Sequence, residues 1–189
     1  MNARRGKAGA WLKEHALRSS VHILALSGLI LASVAGAAVA QPGAGPGAGG
    51  DTVTWTAAPA GGEGVKPGAL TAVTLQAVVR PGWHVYGLDQ TPTGPTPLRV
   101  NIEASAVAKA DAAPRGSPPI KEHSRAFDTD TEFYASAFTV TAPVRIAPHA
   151  AAGRQQIPVS VQFQTCNGDI CQPPKTVRLS VPVTIRAQG

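Results

Sequence analysis

Methionine occurs once in the 189 residues, as Met1, and cysteine only twice, as Cys166 and Cys171. The first scarcity excludes a thioether copper site. The second excludes a small scaffold held by several disulfides. Acidic residues are also short, 11 Asp+Glu against 17 Lys+Arg. The imbalance is concentrated at the start, where Arg4, Arg5, Lys7, Lys13 and Arg18 are relieved only by Glu14. Beyond residue 40, 12 basic residues face 10 acidic ones, so the high isoelectric point gives no warrant for nucleic-acid binding. No Lys/Arg stripe interleaved with aromatics occurs there, nor a Ser-His-Asp set, a glycosidase carboxylate pair or a phosphate-cradling glycine loop. From Asp51 to Gly189 no amphipathic helix of normal length can be drawn, because proline and glycine interrupt the chain too often.

What is present begins with a targeting pattern. A basic segment leads into an apolar stretch from Val21 to about Val39, which ends in Ala38-Val39-Ala40, small residues where a signal peptidase reads. Residues 1–40 are therefore expected to be a cleaved signal peptide. The alternative, a retained anchor, is opposed by His22, Gly28, Ser33 and Gly36 within the apolar run. The expected product starts at Gln41, has no membrane span, and lies in the periplasm or outside the cell. No cysteine near the cleavage point could carry a lipid. Residues 41–50, made of Gly, Pro and Ala after Gln41, have nothing to bury and are expected to be a flexible tether. Residues 51–189 have the length of one domain.

The hydrophobic period in that domain is two. Val73, Leu75, Ala77 and Val79 are apolar around polar Thr74 and Gln76, and the same alternation runs through Ile157, Val159, Val161 and Phe163, and then Val177 through Ile185. Each reads as a strand with one buried face. Shorter candidates are Val53–Ala57, Trp83–Tyr86, Leu98–Ile102, Val107–Ala110 and Ala137–Thr141. Pro158 and Pro182 suggest edges or bulges. Short strands with Gly/Pro turns predict an all-β, immunoglobulin-like β-sandwich. Two stretches are expected to be irregular: the proline-rich 91–97 and the polar 111–132. Trp83 and Phe163 are expected in the core, and His84, alternating with Trp83, in solvent.

The two cysteines form Cys166-Asn167-Gly168-Asp169-Ile170-Cys171, with Asn-Gly as a turn signal between two strands. In such a hairpin the flanking residues face each other with Cα atoms about 4.5–5.5 Å apart, within reach of a disulfide. An oxidising compartment would preserve the bond. One reading is a structural staple in a non-redox exported β-sandwich that binds a protein partner, although closing so short a loop contributes roughly 2 kcal/mol or less. A redox pair is the second. A metal site is the third, poorly supported because His84, His123 and His149 are not spaced with the cysteines.

The stretch from Phe163 to Val177, with Cys166, Cys171, Pro173 and Pro174, resembles the active-site hairpin in the N-terminal periplasmic domain of the DsbD family of thiol:disulfide interchange proteins. Glu132-Phe133-Tyr134 followed by Phe138-Thr139-Val140 is similar to that family's cap loop and next strand. Pro81-Gly82-Trp83-His84-Val85-Tyr86 is similar to the segment supplying an active-site tyrosine. The blocks occur in the family's order and span most of 70–185.

The resemblance implies an immunoglobulin-like domain that passes reducing equivalents through Cys166 and Cys171. Electrons would come from a thioredoxin-like protein, periplasmic or tethered to the membrane, and go to exported disulfide proteins. Cys171 would contact partners and Cys166 would resolve. Phe133, with Tyr134 beside it, would shield the pair, Tyr86 would pack on the sulfurs, and Glu132 would be an acidic neighbour. No cofactor or metal is implied, and a monomer is expected. Two residues depart from the family: Thr131 stands where an acidic residue is common, and Gln172 where an aromatic is common. No transmembrane conduit or thioredoxin-like domain follows the β domain in this sequence, so its electrons would come from another polypeptide.

Overall fold

The alternating segments become strands in the computed structural model, which describes residues 48–50, 52–61 and 64–187. The expected signal peptide, and the expected tether as far as residue 47, lie outside the described residues. In chain order the strands are β1 (Ala48–Gly50), β2 (Val53–Pro59), β3 (Leu70–Val79), β4 (His84–Tyr86), β5 (Arg99–Ile102), β6 (Ala108–Ala110) and β7 (Arg115–Gly116). They continue as β8 (Ile120–Ser124), β9 (Thr129–Tyr134), β10 (Phe138–Ile146), β11 (Gly153–Phe163), β12 (Thr165–Cys166) and β13 (Lys175–Ile185). Among the described residues no helix is long and apolar enough to cross a membrane.

One sheet runs β1-β2-β3-β10-β6, with β7 also on β10, and a second runs β13-β11-β5. The named strand pairs in both are antiparallel. Their inner faces form one core. Trp55 of the first sheet is fully buried, with its ring 5.5 Å from Phe138 and 5.6 Å from Phe163 of the second. Around it lie Leu75, Val140, Ile157, Val161 and Val181, all at the inward positions of a two-residue period. This is the expected all-β, immunoglobulin-like sandwich. A third, smaller sheet, β12-β4-β9-β8, carries the cysteine region.

The prolines occupy positions that need no donor. Pro143 lies on β10 between the residues paired with β7 and those paired with β6. Pro158, expected on an edge or bulge, sits instead in the central strand β11, one residue beyond the last rung to β5. Its carbonyl accepts from Glu103 N at 3.0 Å, so the missing N–H points past the end of β5. Pro182 is on the edge strand β13.

Two further expectations are corrected. Ala48–Gly50, the end of the expected tether, pairs with β2, so the packed region starts before Asp51. Glycine and alanine can add an edge strand with backbone groups alone. The polar stretch 111–132, expected to be irregular, holds β7, β8 and the first part of β9. β8 is exposed along nearly all of its length, so it has no hydrophobic alternation. Its signal is cross-strand charge: Lys121 is opposite Glu132, and His123 is opposite Asp130. The 91–97 connection is irregular as expected.

Candidate functional site

Cys166 and Cys171 are joined in a disulfide, with Cα atoms 4.1 Å apart. Asn167 N donates to Ile170 O inside the pair, and Gln172 N to Thr165 O outside it. The cysteines thus occupy a non-hydrogen-bonded rung, where opposing side chains approach most closely. The Asn167 side-chain oxygen accepts from Asp169 N and Ile170 N at 3.0 and 2.7 Å, which closes the turn. Thr165 anchors the base: its buried hydroxyl is 3.2 Å from that of Thr52. The two sulfurs have different surroundings. Cys166 is 1% exposed, whereas Cys171 is open to solvent.

The third sheet aligns the neighbours. Cys166 pairs with His84 across the β12–β4 ladder, and Tyr86 pairs with Phe133 across β4–β9. Directly opposed residues, and residues two apart, share a face. His84, Tyr86, Phe133 and Cys166 therefore lie together. The His84 ring is 5.0 Å from Tyr86 and 4.9 Å from Phe133, and Tyr86 Oη is 4.0 Å from Cys171 Sγ. They line an open cavity of about 420 Å³ between the cysteine hairpin and the β8–β9 hairpin.

Glu132 and Tyr134, also expected beside the cysteines, face the other way. Glu132 pairs with Lys121 and lines a separate groove with Asp89. Tyr134 is buried, stacks on Phe138 at 3.9 Å, and donates to Ser117 O at 3.0 Å. A Cβ on Gly116 would overlap the Tyr134 hydroxyl, so a glycine is needed beneath it. Consecutive strand residues cannot all serve one face, and period two in 131–134 separates Phe133 from both neighbours. His84, expected in solvent, is half-buried at the site, while Trp83 packs partly buried against the core.

Sequence reasoning missed Phe127. It is in the β8–β9 turn, with its ring edge-on to Tyr86 at 5.9 Å. It is the only Phe, Tyr or Trp from 111 to 132, which is the signal that could have found it.

Burial holds the His84 pKa below the ordinary imidazole value, with the Glu122 carboxylate opposing the shift. Burial raises that of Tyr86, so its hydroxyl keeps its proton and can donate at neutral pH. A partner thiolate could reach Cys171 in the oxidised form, with Cys166 as the leaving sulfur.

No curated protein matches the sequence. Among solved structures, the chain is similar to the reduced N-terminal domain of DsbD from Neisseria meningitidis, with 13% identity and a TM-score of 0.43, covering 60% of this chain and 78% of that one. It is also similar to the N-terminal periplasmic domain of ScsB from Proteus mirabilis, with 14% identity and a TM-score of 0.44, covering 71% of this chain and 47% of that one. A family model described as the N-terminal part of the thiol:disulfide interchange protein DsbD matches residues 63–182, which include both cysteines and the strands beside them. With more than half of its length matched, the chain belongs to the family of DsbD N-terminal domains.

Proposed function

We propose that the protein is a periplasmic thiol:disulfide exchange module. It passes reducing equivalents between a thioredoxin-like donor and exported disulfide proteins through Cys166 and Cys171. The observation that carries this reading is the unequal exposure of one disulfide's two sulfurs, with Cys166 enclosed and Cys171 open beside a cavity. A bond that closes only a short hairpin constrains the unfolded chain little, which favours exchange over stapling. Cys171 is then the partner-facing sulfur and Cys166 the resolving one. Tyr86 packs beside Cys171, and Phe133 lines the cavity next to the pair and limits access from that side.

Removing the resolving thiol traps the mixed disulfide. Cys166→Ala should accumulate a reductant-sensitive covalent complex with a thioredoxin-like protein, and Cys171→Ala far less. If neither variant traps a partner and the disulfide's reduction potential lies below about −300 mV, the bond is a structural staple and the proposal fails. Trapping by Cys171→Ala alone would reverse the two sulfur assignments.

A further inference from the structure

Exchange requires thiolates, and the two sulfurs are not equally able to become one. Cys171 is open to water, with a tyrosine hydroxyl beside it. Cys166 is enclosed, and burial disfavours its charged form. On the reading proposed above, Cys166 must nevertheless lose its proton to resolve each mixed disulfide. It must also receive one when it departs from Cys171.

The ladder places a titratable partner directly opposite. Cys166 pairs with His84, so the imidazole and the thiol project from the same face of the third sheet. The ring is held between Tyr86 and Phe133 and lines the same cavity as both cysteines. Other ionisable groups reach this cavity: Tyr86 from β4, Glu122 and His123 from β8, Arg125 from the β8–β9 turn, and Asp169 from the cysteine hairpin. Of the ionisable groups lining it other than the cysteines, only His84 is a ladder partner of Cys166. Glu132 cannot substitute, because it faces the other groove with Lys121.

We propose that His84 is the proton acceptor and donor for Cys166 in the resolving half of exchange. In the reduced protein, Cys171 thiolate attacks a partner disulfide, forming the mixed bond and releasing the partner's first thiolate. Cys166 passes its proton to His84, and its thiolate attacks Cys171 Sγ. The Cys166–Cys171 bond forms as the mixed bond breaks. The partner's second sulfur leaves with the electron pair and takes the proton from the imidazolium. Two electrons and one proton have then moved to the partner. Its first sulfur, released as a thiolate, takes its proton from water, to which Cys171 had earlier lost its own. Glu122, whose charge favours a protonated His84, steadies the intermediate imidazolium. The reverse direction uses His84 to protonate departing Cys166.

The two halves can be timed with dithiobis(nitrobenzoate). The first nitrothiobenzoate released reports attack by Cys171, and the second reports resolution by Cys166. Wild-type protein should release the second rapidly at pH 7, with a rate that levels off above the imidazole range. His84→Gln should leave the first phase within about twofold. It should slow the second about tenfold or more at pH 7, and move its pH inflection up toward that of a buried thiol. An unchanged second phase and inflection in a folded variant would overturn the inference. So would equal slowing of both phases with no change in pH profile, which marks a purely structural role. Should the variant not fold, NMR titration of His84 in wild-type protein decides: its pKa should differ between oxidised and reduced forms, and an identical titration in both would overturn the proposal. Wild-type protein whose disulfide resists reduction, or whose reduced form shows no first phase, would instead refute the exchange reading itself.

Discussion

Tyr86 Oη stands 4.0 Å from Cys171 Sγ, across 85 positions of sequence. β4 delivers the tyrosine, β12 the start of the cysteine hairpin, and their pairing makes the meeting possible. The phenol is protonated at neutral pH and burial raises its pKa further, so it approaches the exposed sulfur as a donor. Tyr86→Phe removes that donor and keeps the ring. Alkylation of reduced Cys171 at pH 7 should become about fivefold slower, equivalent to ~1 kcal/mol, with little change in melting temperature. An unchanged rate would show that the hydroxyl does not stabilise the thiolate.

Phe133 and Phe138 are close in sequence and differ in burial. Phe133 is half-buried over the cysteine cavity, whereas Phe138 packs on Trp55 and Tyr134. Phe133→Ala should speed reduction of the disulfide by small thiols several-fold while costing roughly 1 kcal/mol of stability. Phe138→Ala should cost about 3–5 kcal/mol. Chemical denaturation and dithiothreitol kinetics on both variants separate the two roles. Equal stability losses would place Phe133 in the core.

The opposite face of β9 should be silent in exchange. Glu132→Gln breaks only a pair with Lys121, whose side chain is well exposed, so the melting temperature should move by no more than about two degrees and the cysteine kinetics should not move. Tyr134→Phe leaves the Ser117 carbonyl without its donor and should cost about 1 kcal/mol, again without altering exchange. A changed thiol reactivity in Glu132→Gln would show that the carboxylate acts on the cysteines through the sheet.

Burial lowers the His84 pKa from its ordinary 6.5, so the unfolded chain binds this proton more readily than the folded one. The associated stability is fully present above about pH 6.5 and is lost as pH falls from there through the lower folded-state value. Wild-type oxidised protein should therefore lose more stability than His84→Gln between pH 7.5 and 5. Urea midpoints at the two pH values measure this, and other titrating groups cancel in the comparison. An equal loss in both proteins would mean that His84 is protonated equally well in the folded state.

The alternation of Val73 to Val79, Ile157 to Phe163 and Val177 to Ile185 sufficed for the all-β sandwich, because one buried face imposes a period of two on any strand. The cysteine hairpin was equally legible, since Asn-Gly and the four-residue separation place Cys166 opposite Cys171 through local geometry alone. The β8–β9 hairpin was not, because β8 is exposed and is held to β9 by backbone pairing and cross-strand charges rather than by burial. Beyond what the family resemblance implied for Tyr86 and Phe133, which residues meet the sulfurs was decided by register between strands distant in sequence. That register brought His84 to Cys166 and Phe133 to Tyr86, and turned Glu132 and Tyr134 away. A shift of one residue in either ladder would exchange those faces, and no local pattern in 84–86 or 131–134 is apolar enough to specify it.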